Sequence, residues 1–243
     1  MSVLPPGRFD RLDALRGLAM VWMAVFHLAF DLNHFGLIQP RQFFTLDPFW
    51  YGQRTAILSG FLFCAGLSLA VALDAGQGSL RFWRRWAQIA GCALLVSVGS
   101  AIMFPKSWIF FGVLHGMAVM LLLARLAAPL GGLLWPLGVL AVVLPQVVQW
   151  PLFDPSPLAW VGLVTKKPVT EDFVPVLPWI GVMLWGLAAG QWLLRFRRAW
   201  LAGPLAAPLQ PLALLGRWSL SFYMLHQPVF IGAILSGRAL GWW

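Results

Sequence analysis

The sequence predicts an all-α fold: a polytopic integral membrane helical bundle of about seven transmembrane helices, N-terminus cytoplasmic and C-terminus outside. Three observations carry this reading. The 243 residues are 60% hydrophobic and 10% charged, with a mean hydropathy of +0.79, which is too apolar for a soluble domain of this size. The apolar residues gather into runs long enough to cross roughly 30 Å of hydrocarbon. The basic residues, which set a net charge of +9, fall in short clusters between those runs, as topology signals do. The expected surroundings are therefore a lipid bilayer, and no nucleic acid is expected, because no basic stripe is interleaved with aromatics on a polar surface.

Residues 1–243 read as one transmembrane domain. A Pro/Gly segment and a basic lead with Arg8, Asp10, Arg11 and Asp13 precede span one, about Ala14 to Phe35. That run is too long for a leader peptide, contains His27 and Asp31 and lacks a small-x-small exit, so it is expected to stay as a span. Span two, Arg54 to Leu73, is rich in small residues that let a neighbouring helix approach closely. Asp74 to Trp86 reads as an interfacial loop carrying Arg81, Arg84 and Arg85 beside Phe82, Trp83 and Trp86. Spans three (Ala87 to Phe104), four (Ile109 to Leu126) and five (Leu130 to Trp150) follow, separated by Pro105–Lys106 and by Pro129. Pro151 to Pro175 is a true extramembrane loop, because Asp154, Lys166, Lys167, Glu171 and Asp172 lie among its prolines. Span six is Val176 to Leu194, and span seven runs from about Leu212 to Leu240. Cys64 and Cys92 sit in apolar runs without metal or CxxC spacing and read as small core residues; no metal is expected.

Orientation follows from the cations. One side of seven spans collects eleven of them (Arg8, Arg11, Arg16, Arg81, Arg84, Arg85, Arg125, Arg195, Arg197, Arg198, Arg217). The other collects six: Arg41, Arg54, Lys106, Lys166, Lys167 and Arg238. The richer side is expected to be cytoplasmic.

Span one organises the functional reading. Helical spacing aligns Arg16, Met20, His27, Asp31 and His34 in one stripe. Ionisable groups in hydrocarbon are costly, so a histidine and an aspartate one turn apart normally face protein or a water-filled cavity. His34 also fits a hydrated interfacial residue, and His115, between Gly112 and Gly116, fits a donor to a closely packed neighbour. In span seven Ser219, Tyr223 and His226 share a face, and Pro228 removes a helix donor and frees a carbonyl. Under this topology all four histidines lie at similar depth on three helices and are expected to form one site.

The blocks RLDALRGLAMVWMAVFHLAFDL, SGFLFCAGLSLAVAL, IFFGVLHGMAV, VLPWIGVMLWGLAAG and LALLGRWSLSFYMLHQPV, in this order, resemble bacterial membrane proteins carrying the heparan-α-glucosaminide N-acetyltransferase-like catalytic domain. The resemblance implies a multi-pass transmembrane acyltransferase of the bacterial inner membrane. Such an enzyme takes an acetyl group from cytoplasmic acetyl-CoA and delivers it to a sugar or glycan acceptor across the membrane. Eukaryotic members use a histidine within a His-Ala-x-Trp stretch after the first span. This chain has no such stretch; His34 is nearest by position, and the family's polar residue within the span corresponds to His27.

Acetyl transfer from a thioester needs a general base or a nucleophilic imidazole. His27 oriented by Asp31 is the first candidate and His34 the second. His115, Tyr223, His226 and Gln227 are the polar groups expected around substrate and oxyanion, and Arg16, Arg81, Arg84, Arg85 and Arg217 are expected partners for CoA phosphates. Two other classes stay open: a b-type haem electron carrier ligated by histidines of separate spans, and a small-solute transporter. A homo-oligomer is likewise left open.

Overall fold

The computed structural model describes residues 9–44 and 46–242. Arg8 of the orientation count lies outside them. Among the described residues the regular structure is helical, apart from one isolated bridge between Phe111 and Phe173. Six stretches among the described residues are long and apolar enough to cross a membrane: Asp10–His34, Pro48–Asp74, Ser79–Met103, Val113–Val147, Val176–Phe196 and Ser219–Ala239. Their outward faces carry exposed Leu15, Val25, Leu94, Leu95, Ile102 and Leu140, as expected of helices bathed in lipid. The chain forms two compact units, one of Leu62–Leu201 and one of Phe9–Phe61 with Ala202–Trp243.

The unit built from both ends of the sequence begins with α1 (Asp10–His34), whose first turn places Asp10 and Asp13 at the positive end of the helix dipole. α1 stops at Gly36, where Gly36 N–H bonds the carbonyl of Asn33 and Leu37 N–H that of Leu32. Asn33 then clamps the returning chain, accepting from Gln42 N–H (2.7 Å) and donating to Gln42 O (2.9 Å). α2 (Pro48–Asp74) starts six residues before the expected span. Asp47 Oδ1 accepts the Phe49 N–H at 2.8 Å and Pro48 occupies the first helical position, an N-terminal signal present in the sequence. On the α1-facing side of α2, Ile57 and Phe61 pack with Ala19, Met20 and Met23.

The expected seventh span is two helices in this unit. After α9 (Gln210–Arg217) the backbone bends at Trp218 (φ −101°, ψ 20°) and continues as α10 (Ser219–Ala239). Both pack along α1. A Cβ on Gly17 would stand 1.9 Å from Leu212 O, and one on Gly216 1.8 Å from Asp13 O, so only glycines allow α1 and α9 to approach this closely. α10 runs parallel to α1: Gln227 meets Asp31 and Arg238 meets the carbonyl of Phe35.

The other unit holds the remaining half of α2, then α3 (Ser79–Met103), α4 (Val113–Ala127), α5 (Leu134–Val147), the single turn α6 (Ser156–Ala159), α7 (Val176–Phe196) and α8 (Arg198–Ala202). α3 begins at Ser79, so Arg81, Arg84 and Arg85, expected in a loop, ride exposed on the first two turns of a helix. The breakers Gly76 and Gly78 end before them, and Leu, Arg and Trp are adequate helix formers.

α4 and α5 lie within a single apolar stretch, where two spans were expected. Gly116 abuts Val174 while Ala128 O accepts from Gln191, so α4 runs with α7. Trp185 donates to Trp135 O and Gly138 meets Gly181, so α5 runs against it. The chain therefore reverses between them, at Gly131, whose φ of +54° and ψ of −119° suit glycine. Residues 107–113 are stitched to 170–174 by Glu171 N–H to Ser107 O, Val174 N–H to Phe111 O, and Thr170 Oγ1 to Trp108 O.

Candidate functional site

In the unit formed by the two chain ends, four polar residues from α1 and α10 converge: His27, Asp31, His226 and Gln227. Asp31 and His226 are only 3% and 7% exposed. Gln227 Nε2 donates to Asp31 Oδ1 at 2.9 Å. His226 Nδ1 lies 2.7 Å from Tyr223 O. A carbonyl oxygen can only accept, so Nδ1 carries the proton and the neutral ring leaves Nε2 as a bare lone pair. That Nε2, Asp31 Oδ2 and Gln227 Oε1 are buried without a hydrogen-bond partner.

Buried polar atoms in native proteins are nearly always paired, and three orphans on adjacent residues mark a place where another molecule completes the bonding. With Gln227 oriented toward Asp31 as described, each orphan is an acceptor, or in the case of Asp31 accepts when ionised. The site therefore fits a ligand bearing hydroxyl or amine hydrogens.

His27 faces this group. Its ring lies edge-on to His226, centroids 5.2 Å apart and planes at 61°, and edge-on to Phe26 at 5.8 Å. The two imidazoles are in direct ring contact, without the gap a macrocycle would fill between two axial ligands. Asp31, expected to orient His27, is instead bonded to Gln227. Tyr223 packs into the core beside Phe61, ring centroids 6.5 Å apart. His34 is exposed and stacks on Phe30.

At the other end of α1, two expected phosphate ligands are already engaged. Arg16 Nη1 donates to Asp13 Oδ1 at 2.9 Å and to Gly216 O at 3.2 Å. Arg217 Nη2 bonds Asp10 Oδ1 at 2.6 Å, and its Nε lies 3.7 Å from Asp13 Oδ2. Asp13 is buried, so these arginines balance a carboxylate that would otherwise be stranded.

His115 belongs to the other unit, where all its capacity is used. Gly112 N–H donates to Nδ1 (3.3 Å), and Ser97 Oγ lies 3.1 Å from Nε2. The Ser97 hydroxyl gives its hydrogen to Ile109 O at 2.7 Å, so the proton between serine and histidine must come from Nε2. Nearby, Asp172 Oδ2 accepts Val113 N–H at 2.7 Å. His115 thus ties α3 to the start of α4 and has no hydrogen left for an oxyanion.

Sequence reasoning counted Arg54 among outer-side topology charges. α2 carries Trp50, Arg54, Ile57 and Phe61 at helical spacing; Trp50 meets Phe26 at 5.9 Å, and Ile57 and Phe61 pack with α1. Arg54 is bracketed by these contacts on the α1-facing side of α2. The Asp47–Pro48 helix start was the signal that could have placed it within the helix. Among the described residues, no group of three or more His, Cys, Asp or Glu could hold a metal ion.

Comparison with curated proteins and with solved structures returns no match. The sequence matches the family described as heparan-alpha-glucosaminide N-acetyltransferase, catalytic, over residues 8–228, a stretch holding all four histidines, Arg54 and Gln227. On that match, spanning most of its length, the chain belongs to the heparan-alpha-glucosaminide N-acetyltransferase catalytic family of membrane acetyltransferases.

Proposed function

We propose that this protein is a seven-pass transmembrane acetyltransferase of the bacterial inner membrane, N-terminus cytoplasmic, that moves an acetyl group from cytoplasmic acetyl-CoA to a sugar or glycan acceptor on the outer side. Family membership supports the reaction class. The opposite directions of α4 and α5 support seven passes. The single observation carrying the site is the trio of buried acceptors without donors, His226 Nε2, Asp31 Oδ2 and Gln227 Oε1.

In this reading His226 is the general base. The Tyr223 carbonyl holds its Nδ1–H and so directs the bare Nε2 to the acceptor's hydroxyl or amine hydrogen, a role usually served by a carboxylate. As the acceptor attacks the thioester carbon, the proton passes to Nε2; when the C–S bond breaks, the CoA thiolate takes a proton from the imidazolium. Asp31 and Gln227 receive the acceptor's remaining hydrogens and fix its pose. His27, in ring contact with His226, is the second imidazole beside the reacting atoms. Arg81, Arg84 and Arg85 are candidates for CoA phosphates, whereas Arg16 and Arg217 act first as partners of Asp13 and Asp10.

The test is incubation of purified protein with radiolabelled acetyl-CoA, scoring hydrolysis, self-acetylation and transfer to envelope sugars. Wild type is compared with His226→Gln, His27→Ala and His34→Ala. Wild type is expected to consume acetyl-CoA, and His226→Gln to be the weakest variant. A wild type that neither binds nor consumes acetyl-CoA ends this reading; a dead His34→Ala beside an active His226→Gln moves the chemistry to the exposed histidine.

A further inference from the structure

A thioester carbonyl under attack becomes a tetrahedral oxyanion, which needs a hydrogen-bond donor or a cation beside it. The orphaned atoms there are acceptors, Gln227 Nε2 is spent on Asp31, and both nitrogens of His115 are used in its own unit. A cation on the walls around His27 would supply it.

We infer that Arg54 is a catalytic residue whose guanidinium binds the oxyanion of the tetrahedral intermediate beside His27 and His226. This rests on the acetyl-transfer reading above.

The placement is fixed by packing. α2 runs antiparallel to α1: Gly60 approaches Ala19, Gln53 Oε1 accepts from Trp22 Nε1 at 2.7 Å, and the Trp50 ring meets Phe26. On the stripe Trp50, Arg54, Ile57, Phe61, Arg54 falls between a residue in contact with Phe26 and one packed with Met23, within about one helical turn of His27. It is the one cation on an otherwise apolar stripe, and it is half-buried. A cation on a helix face of this kind is costly, since such stripes are otherwise filled by Leu, Ile and Phe, and it marks a functional position.

The chemistry balances around it. The acceptor oxygen or nitrogen forms a bond to the carbonyl carbon while the C=O π pair moves onto oxygen, where the guanidinium N–H groups hold it. The pair returns as the C–S bond breaks and the thiolate is protonated by the imidazolium. A planar fork with a fixed charge suits an oxyanion better than a flexible ammonium does.

The experiment compares full-length wild type, Arg54→Gln and Arg54→Lys, measuring kcat and KM for acetyl-CoA consumption and acetyl-CoA binding. Arg54→Gln is expected to lower kcat about 10²–10³-fold, as removal of an oxyanion donor does, with acetyl-CoA binding unchanged within about threefold. Arg54→Lys is expected to recover part of kcat, and added methylguanidinium to raise the rate of Arg54→Gln while leaving wild type unaffected. An active wild type with Arg54→Gln at full kcat overturns the assignment and leaves the acetyl-transfer reading standing. A loss confined to the KM of the acceptor overturns it too, marking a binding residue. If Arg54→Gln does not fold, Arg54→Lys decides: a lowered kcat at unchanged acetyl-CoA binding supports the assignment and an unchanged kcat overturns it. A wild type inactive toward acetyl-CoA overturns both.

Discussion

His115 and His226 lie on helices of similar composition, yet their surroundings are opposites. Around His115 every donor finds an acceptor: Gly112 N–H to Nδ1, Nε2–H to Ser97, and Ser97 to Ile109 O. Around His226 one nitrogen is tied to Tyr223 O while the other, with Asp31 Oδ2 and Gln227 Oε1 beside it, is buried and bare. A closed network contributes order and gives nothing to a substrate. An open one costs stability and persists where a ligand completes it.

The largest effect that tests this contrast is His226→Gln, which removes the bare Nε2 from a site of the same shape. Acetyl transfer is expected to fall by about 10²–10⁴-fold, the range of a general base, at unchanged acetyl-CoA binding in an equilibrium assay. Full activity in this variant would leave the open network without a catalytic role. Next comes Gln227→Leu, which strips Asp31 Oδ1 of its donor. Leaving a buried acceptor unsatisfied costs about 1–3 kcal/mol, so roughly five- to hundredfold in rate is expected if the carboxylate positions substrate; single-turnover kinetics would read it.

Ser97→Ala opens the closed network from its other end. Stability in detergent, followed by thermal unfolding, is expected to drop by about 1–3 kcal/mol, with transfer per folded molecule unchanged within about threefold. Collapse of activity in well-folded Ser97→Ala would erase the distinction. The smallest effect is at an exposed closed network, where Asp154 accepts from the Thr165 hydroxyl and the amides of Thr165 and Lys166. These bonds, the Thr165 hydroxyl foremost, hold the Asp154 carboxyl below its ordinary value. A depressed carboxyl adds stability that is present above the ordinary carboxylate range and is lost as pH falls through the folded value. Protection of the Thr165 amide from hydrogen exchange is expected to persist at neutral pH and to disappear in acid, and Thr165→Val should weaken it at neutral pH.

Much of the architecture was legible in the sequence, because apolar runs of membrane length and breakers such as Gly78 and Pro129 are local signals. Helix starts were less so. Arg81, Arg84 and Arg85 looked like loop residues because charge was weighed above helix propensity, and Arg54 was counted as a boundary charge although Asp47 and Pro48 opened its helix earlier. The bend at Trp218 was signalled only by Gly216, two residues before it. His27, Asp31, His226 and Gln227 were readable as polar residues on apolar helices. Their pairing was not, since it depends on which atoms face each other across α1 and α10. The stripe spacing put Asp31 below His27, yet the carboxylate turned to Gln227, 196 residues away. His115 could be sorted from the rest only by the hydroxyl of Ser97, on a helix that sequence alone could not align with it.

The close seat of Gly17 against Leu212, and of Gly216 against Asp13, has a consequence for how the molecule is made. α1 carries His27 and Asp31 into the bilayer while the segment that shelters them is about two hundred residues from being synthesised. Throughout that interval α1 is a poorly satisfied polar span, with ionisable groups in hydrocarbon, needing the insertion machinery or a lipid-thinned environment until α9 and α10 arrive. Assembly of this unit thus waits for α9 and α10, and any delay in delivering α10 lengthens the exposure of the helix most in need of cover.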